Sequence, residues 1–301
     1  MKISKTAIFI FVLLAFIWGT SFILIKKSLL VFNPVQIGSL RIVITFLALA
    51  PFAFRYMKSI QTRDWLIISV SALIGNFFPA YLFALAQEGI DSSTAGILNS
   101  LTPLFTLLIG ISFFKFRAKW WNFIGIFITF IGTYGLLSVS GGQAFSFNIK
   151  YGVYIIIASM GYGAQVNIIK YYLNHIPSFS ILVLQFFIIS IPAAIILFSF
   201  TDFTQMISLD KAFITALIYV GILAVIATAF ALILFYRLIK IVDPVFSSSV
   251  TYFIPAVATL WGFVDGEVIG FSYFIWVSII LMGVYFVNSK SILLLQRKKK
   301  S

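Results

Sequence analysis

Apolar residues in this chain come in runs of about 20, separated by short polar turns, from Ala7 to a basic tail. At ~1.5 Å rise per residue, a helix of that length crosses the ~30 Å hydrocarbon core of a bilayer. The pattern predicts helices at 7–25, 34–54, 65–86, 93–114, 120–138, 149–169, 178–200, 212–236, 244–264 and 269–288. Lys2 and Lys5 before the first run resemble the start of a signal peptide. No small-x-small cleavage site follows, so the run reads as an uncleaved first helix. Pro34, Pro177 and Pro244 fall near first turns, where a missing N–H costs little. The longer outer connections are 140–148 and 201–210.

The pattern is written twice. Asp91-Ser-Ser-Thr-Ala-Gly-Ile-Leu-Asn-Ser-Leu-Thr-Pro103 returns as Asp243-Pro-Val-Phe-Ser-Ser-Ser-Val-Thr-Tyr-Phe-Ile-Pro255, 152 residues later. The same offset pairs Phe83 with Phe235 and Lys115 with Glu267. Earlier in each half the offset is close to 144, pairing Trp18-Gly19 with Tyr162-Gly163 and Lys26 with Lys170. Self-similarity of this kind marks a duplicated unit. The expected units are 7–138 and 149–288, followed by a basic cytoplasmic tail at 289–301. Five crossings per half is an odd number, so equivalent helices run in opposite directions. The expected fold is therefore an all-α polytopic membrane protein with ten transmembrane helices in two inverted five-helix repeats.

Composition agrees, with 61% hydrophobic and 10% charged residues against roughly 45–50% and about 25% in soluble domains. The net charge of +13 would suit a nucleic-acid partner if it were clustered on one surface. It is distributed by side instead: with the N-terminus inside, sixteen Lys and Arg fall on inner segments, four on outer ones, and Arg41 within a span. The positive-inside rule then places both termini in the cytoplasm of a bacterial inner membrane and accounts for the charge without nucleic acid. There is no Cys, and His175 stands alone beside Pro177, so neither thiol chemistry nor a histidine metal site is expected. No cofactor is required.

Polar groups inside spans carry the remaining information, because each is costly unless it pairs or faces a cavity. Trp18 lies well below the interfacial belt where Trp usually sits. Asn76 precedes Pro79 by one turn, and Asn99 and Thr102 precede Pro103. Tyr162, Gln165 and Gln185 lie in the sixth and seventh helices, and Thr251 and Tyr252 precede Pro255. Mid-span Pro frees carbonyls that line a cavity or permit bending. Two arrangements are open to Arg41: it lines the cavity, or it snorkels to the nearby headgroups. Small residues such as Gly132, Gly135, Gly161, Gly163 and the Ser71-x-x-x-Gly75 spacing read as helix packing. Asp91 and Asp243 read as helix N-caps. No Asp, Glu or His occupies the middle of a span, so a midplane proton relay is not expected.

Trp18-Gly-Thr-Ser-Phe22, Pro34, Arg41, Asp91-Ser-Ser-Thr-Ala95, Pro103-Leu-Phe-Thr106, Pro255-Ala-Val257 and Gly266-Glu267 together resemble the drug/metabolite transporter superfamily, EamA type. The resemblance covers essentially the whole chain. It implies a ten-helix inner-membrane carrier, often an exporter of amino acids, metabolites or toxic compounds, with a cavity between the halves. Two positions depart from it: Lys115 stands where the first unit usually carries Glu, and the second Trp-Gly is Tyr162-Gly163. The expected function is secondary transport of a small organic solute by a monomer or homodimer in the lipid bilayer. The expected binding residues are Trp18, Arg41, Asn76, Asn99, Thr102, Tyr162, Gln165, Thr251 and Tyr252. The alternative, a membrane-embedded transferase acting on a lipid, needs convergent acids, His or metal ligands near the interface.

Overall fold

The computed structural model describes residues 5–57, 60–116, 120–140, 149–264 and 270–297. Residues 141–148 of the predicted 140–148 connection, Glu267 and the end of the basic tail lie outside them. The helices are α1 (Lys5–Ser28), α2 (Pro34–Met57), α3 (Thr62–Ala86), and α4 in two pieces (Ser92–Asn99 and Thr102–Phe114). Next come α5 (Trp120–Ser140), α6 (Ile149–Tyr171), α7 (Ser178–Ser199) and α8 (Lys211–Ile241). α9 is Pro244–Ser248, a 3-10 turn Ser249–Tyr252, and Ile254–Val264; α10 is Ser272–Arg297. Among the described residues, seven helices are long and apolar enough to cross a membrane, namely α1 to α4 and α6 to α8. The shorter apolar stretches Trp120–Gly132, Pro244–Val257 and Ser272–Gly283 belong to α5, α9 and α10.

The repeat reaches into the backbone irregularities. α3 carries a π-helical stretch at Leu73–Phe77, and α8 carries one at Val225–Phe230, again 152 residues on. α4 breaks at 100–101 and α9 at 249–253. Local chemistry explains the breaks. Pro103 has no N–H for the carbonyl of Asn99, and Thr102 Oγ1 donates to that oxygen instead at 2.7 Å. In α9 the hydroxyls of Ser248, Ser249 and Thr251 donate to carbonyls three residues back. Such local bonds compete with the α-helical ladder and favour a tighter turn.

The halves interleave. α2 packs on α7 and α5 on α10, α1 packs on α8 and α9, and α6 packs on α3 and α4. Exchanging every helix for the one five places away leaves these pairings unchanged, as a pseudo-two-fold axis requires. The glycine of each aromatic-glycine pair makes a close approach. A Cβ on Gly19 would overlap that of Val257, and one on Gly163 would lie 2.9 Å from the carbonyl carbon of Phe105. Gly19 and Gly163 keep the 144-residue offset, and Phe105 and Val257 the 152-residue offset. Without water to drive apolar contact, such close backbone packing is a main source of helix association in lipid.

The ends are capped unequally. Asp243 accepts from Phe246 N at 2.8 Å, as a carboxylate N-cap does. Asp91 occupies the N-cap position of α4 but makes no side-chain cap bond, which corrects the expectation for that half. At the start of α2, Asn33 and Gln36 exchange bonds of 2.9 Å each as a capping box. Gln36 Nε2 also reaches Asp202 Oδ1 in the second half at 2.8 Å. Lys170 at the end of α6 donates to the carbonyls of Ile239, Lys240 and Val242, closing the C-terminus of α8. Lys115 ends α4 in the left-handed region, at φ 55°.

Candidate functional site

A cavity with about 850 Å³ of space between atoms, part of it open to the outside, lies where the halves meet. Eight of the nine expected binding residues line it: Trp18, Arg41, Asn76, Asn99, Thr102, Tyr162, Gln165 and Thr251. Tyr252 does not. Its side chain is buried with Ile97, Tyr273 and Ile280, on the side of α9 that packs towards α10. This is a correction. Adjacent residues lie ~100° apart around an α-helix and about 120° apart in the 3-10 turn Ser249–Tyr252, so Thr251 and Tyr252 face different sides of α9.

Two aromatic pairs form the walls. Trp18 meets Phe235 edge-on, with ring centroids 4.9 Å apart. Tyr162 stacks on Phe83 at 5.7 Å and an interplanar angle of 23°. Both offsets read from the sequence converge here, since Trp18 corresponds to Tyr162 and Phe235 to Phe83. Each pair joins one half to the other. Phe83 and Phe235 were visible in the sequence as repeat landmarks, yet nothing there marked them as cavity residues.

The π-helical stretches supply polar groups. Widening a helix to the i→i+5 pattern leaves carbonyls for other donors, and such bulges are frequent at functional sites. Trp18 Nε1 donates to Ala227 O at 3.1 Å, and Thr45 Oγ1 to Ala224 O at 3.0 Å. Gln165 Nε2 donates to Ser71 O at 3.1 Å, while Thr228 Oγ1 donates to Leu223 O, the residue 152 positions after Ser71. Arg41 therefore lines the cavity; its Nε donates to Thr228 Oγ1 at 2.8 Å, and the Tyr162 phenol lies beside the guanidinium. Of its two sequence readings, the structure takes the cavity one.

Behind the lining is a buried polar cluster that sequence reasoning left unassembled. Tyr236 OH donates to Gln185 Oε1 at 2.6 Å and accepts from Asn76 Nδ2 and Gln165 Nε2 at 3.1 and 3.0 Å. Asn76 Nδ2 also donates to Gln185 Oε1, and Gln185 Nε2 to Ser71 Oγ. Four residues from α3, α6 and α7 are thereby fixed around the phenol of Tyr236 in α8. Tyr236 is completely buried and does not line the cavity. The signal for it was weak, because the residue 152 positions before it is Ala84. Asn99 has a related role in the other wall: its Oδ1 accepts from Thr102 Oγ1 at 3.2 Å and Ser159 Oγ at 3.4 Å.

The model of the EamA-like transporter family matches residues 5–138 and again 150–289. An uncharacterized transporter, YcxC, of Bacillus subtilis (strain 168) is 28% identical over 154 residues, covering 50% of this chain and 48% of that protein. An uncharacterized transporter of Archaeoglobus fulgidus is 29% identical over 115 residues, covering 38% and 41%. The chain thus spans about half the length of the curated relatives it matches, or less. A solved crystal structure superposes with a TM-score of 0.69 over 99% of both chains at 18% identity, a likeness of fold.

Proposed function

Since the chain belongs to the EamA-like transporter family, we propose that it is a secondary transporter of a small organic solute, working by alternating access around the cavity. The observation that carries this reading is the position of the cavity. Both halves wall it, beside both π-helical stretches and both helix breaks. Discontinuous helices at the interface of inverted repeats are where secondary carriers bind their solutes. In this reading all ten helices cross the membrane, the halves are inverted, and both termini are cytoplasmic. The solute shifts the balance between inward- and outward-open states by binding them unequally. The family resemblance supports export of amino acids or related metabolites and drugs. The lining of one guanidinium, amides, hydroxyls and rings suits solute binding better than a lipid transferase, which requires convergent acids or metal ligands.

Purified protein in liposomes tests the proposal by counterflow. Vesicles loaded with an unlabelled solute should take up the labelled solute faster than protein-free vesicles, without ATP. A panel of amino acids, nucleosides, sugars, organic acids and amphipathic amines that gives no counterflow would reject it.

A further inference from the structure

Among the described residues, the cavity is lined by one cation and no anion. Arg41 supplies the guanidinium, and no Asp or Glu is among the lining residues. Two of the chain's acids are engaged elsewhere: Asp64 faces His175 at 3.0 Å, and Asp202 accepts from Gln36. The polar groups described around the guanidinium are neutral, Thr228 on Nε and the Tyr162 phenol. A guanidinium carries five N–H donors, and Thr228 and the Tyr162 phenol engage two of them.

The positive charge is not needed to tie α2 to α8. The 144-residue offset pairs Arg41 with Gln185, and the 152-residue offset pairs Thr228 with Asn76. The equivalent contact in the other half is Asn76 Nδ2 to Gln185 Oε1 at 3.0 Å, between two neutral amides. The duplication thus gives both halves the same contact and charges only one of them.

A charge held inside the membrane region without a counter-charge is costly, and an arriving anion removes that cost. A carboxylate also matches the planar guanidinium fork in a bidentate pair. A zwitterion would leave one positive charge uncompensated, and an amine would add a second. Trp18, Phe83, Phe186 and Phe235 line the rest of the space with rings. We propose that Arg41 is an anion subsite and that the solute is an organic monoanion, a carboxylate on an aromatic or branched apolar body. This deepens the transport reading and rests on the same cavity.

The test uses the full chain in detergent and titration calorimetry. The probes are phenylacetate, indoleacetate and isovalerate, each with its amide and the amine of matching length, together with phenylalanine and leucine as zwitterions. At least one acid should bind tenfold or more tightly than its own amide, with the amine weakest. Arg41→Gln should weaken that acid by about 10- to 100-fold, the scale of a charge-assisted pair, and leave the amide unchanged. Arg41→Lys should retain part of the acid's affinity. An amide, amine or zwitterion binding as tightly as the acid overturns the proposal. So does an acid unaffected by Arg41→Gln, or no binding by any acid. If Arg41→Gln does not fold, the acid–amide comparison on the unmodified protein decides. Counterflow separates the two readings: acids that bind as expected but show no exchange in liposomes overturn transport and leave the subsite standing. Exchange of amines or amides without acids overturns the subsite alone.

Discussion

Trp18 in the first half and Phe235 in the second meet edge-on at 4.9 Å, and Trp18 Nε1 donates to Ala227 O in the π-helical stretch of α8. Tyr162 and Phe83 repeat the ring contact with the halves exchanged. The same pair of repeat positions thus meets in both walls, edge-on in one and stacked in the other. Because each pair crosses between halves, any rocking of one half on the other must move these rings relative to each other.

Double-mutant cycles on the two pairs should therefore give similar coupling. Aromatic pairs contribute about 0.5–1.5 kcal/mol beyond their area, and Trp18→Leu with Phe235→Leu should fall in that range, as should Tyr162→Leu with Phe83→Leu. Thermal unfolding in detergent measures both cycles. Coupling in one pair and none in the other would show that the apparent symmetry has no energetic counterpart.

The two close-approach glycines should differ in severity. A Cβ on Gly163 faces backbone, 2.7 Å from Thr106 N and 2.9 Å from the Phe105 carbonyl carbon, which a side-chain rotation cannot relieve. On Gly19 the main obstacle is the Val257 side chain. Gly19→Ala should lower the melting temperature and be partly rescued by Val257→Gly, whereas Gly163→Ala should resist rescue by Phe105→Gly. Equal rescue at both positions would contradict the packing described.

The buried phenols should separate stability from binding. Tyr236→Phe removes one donor and two acceptor contacts from a closed cluster, so it should cost about 1–3 kcal/mol of stability. Its effect on affinity should be no more than that loss of order transmits. Tyr252→Phe should leave affinity unchanged, since that side chain faces α10 and not the cavity. Asn99→Ala and Thr251→Val, both in the lining, should change affinity for any bound solute by about 2- to 13-fold, the equivalent of about 0.5–1.5 kcal/mol per hydrogen bond. A binding defect confined to Tyr252→Phe would move the site to the other side of α9.

Orientation is open to chemical labelling, because the chain contains no Cys. Leu209 is 93% exposed in the α7–α8 connection, and Asn174 is exposed in the α6–α7 connection. In intact cells Leu209→Cys should react with an impermeant thiol reagent and Asn174→Cys should not. The opposite pattern would invert the topology argued from Lys and Arg.

The sequence by itself determined the class of fold and its duplication. Runs of about 20 apolar residues suit a bilayer, and the 152-residue offset survives in the backbone as matched π-helical stretches and matched breaks. It also picked out most of the polar residues that line the cavity, though not Thr228, because a polar group inside an apolar run has few places to go. Tertiary structure decided which way those groups point. Apolar residues surround these helices on every side, so periodicity gives little hint of which face is turned inward. Thr251 and Tyr252 are adjacent in sequence, and the packing of α9 between the cavity and α10 turns one to each. Arg41 had two possible environments until the packing of α2 beside α8 brought Thr228 within 2.8 Å of it. The cluster around Tyr236 joins residues from four helices, and only their assembly brings its phenol to Asn76, Gln165 and Gln185.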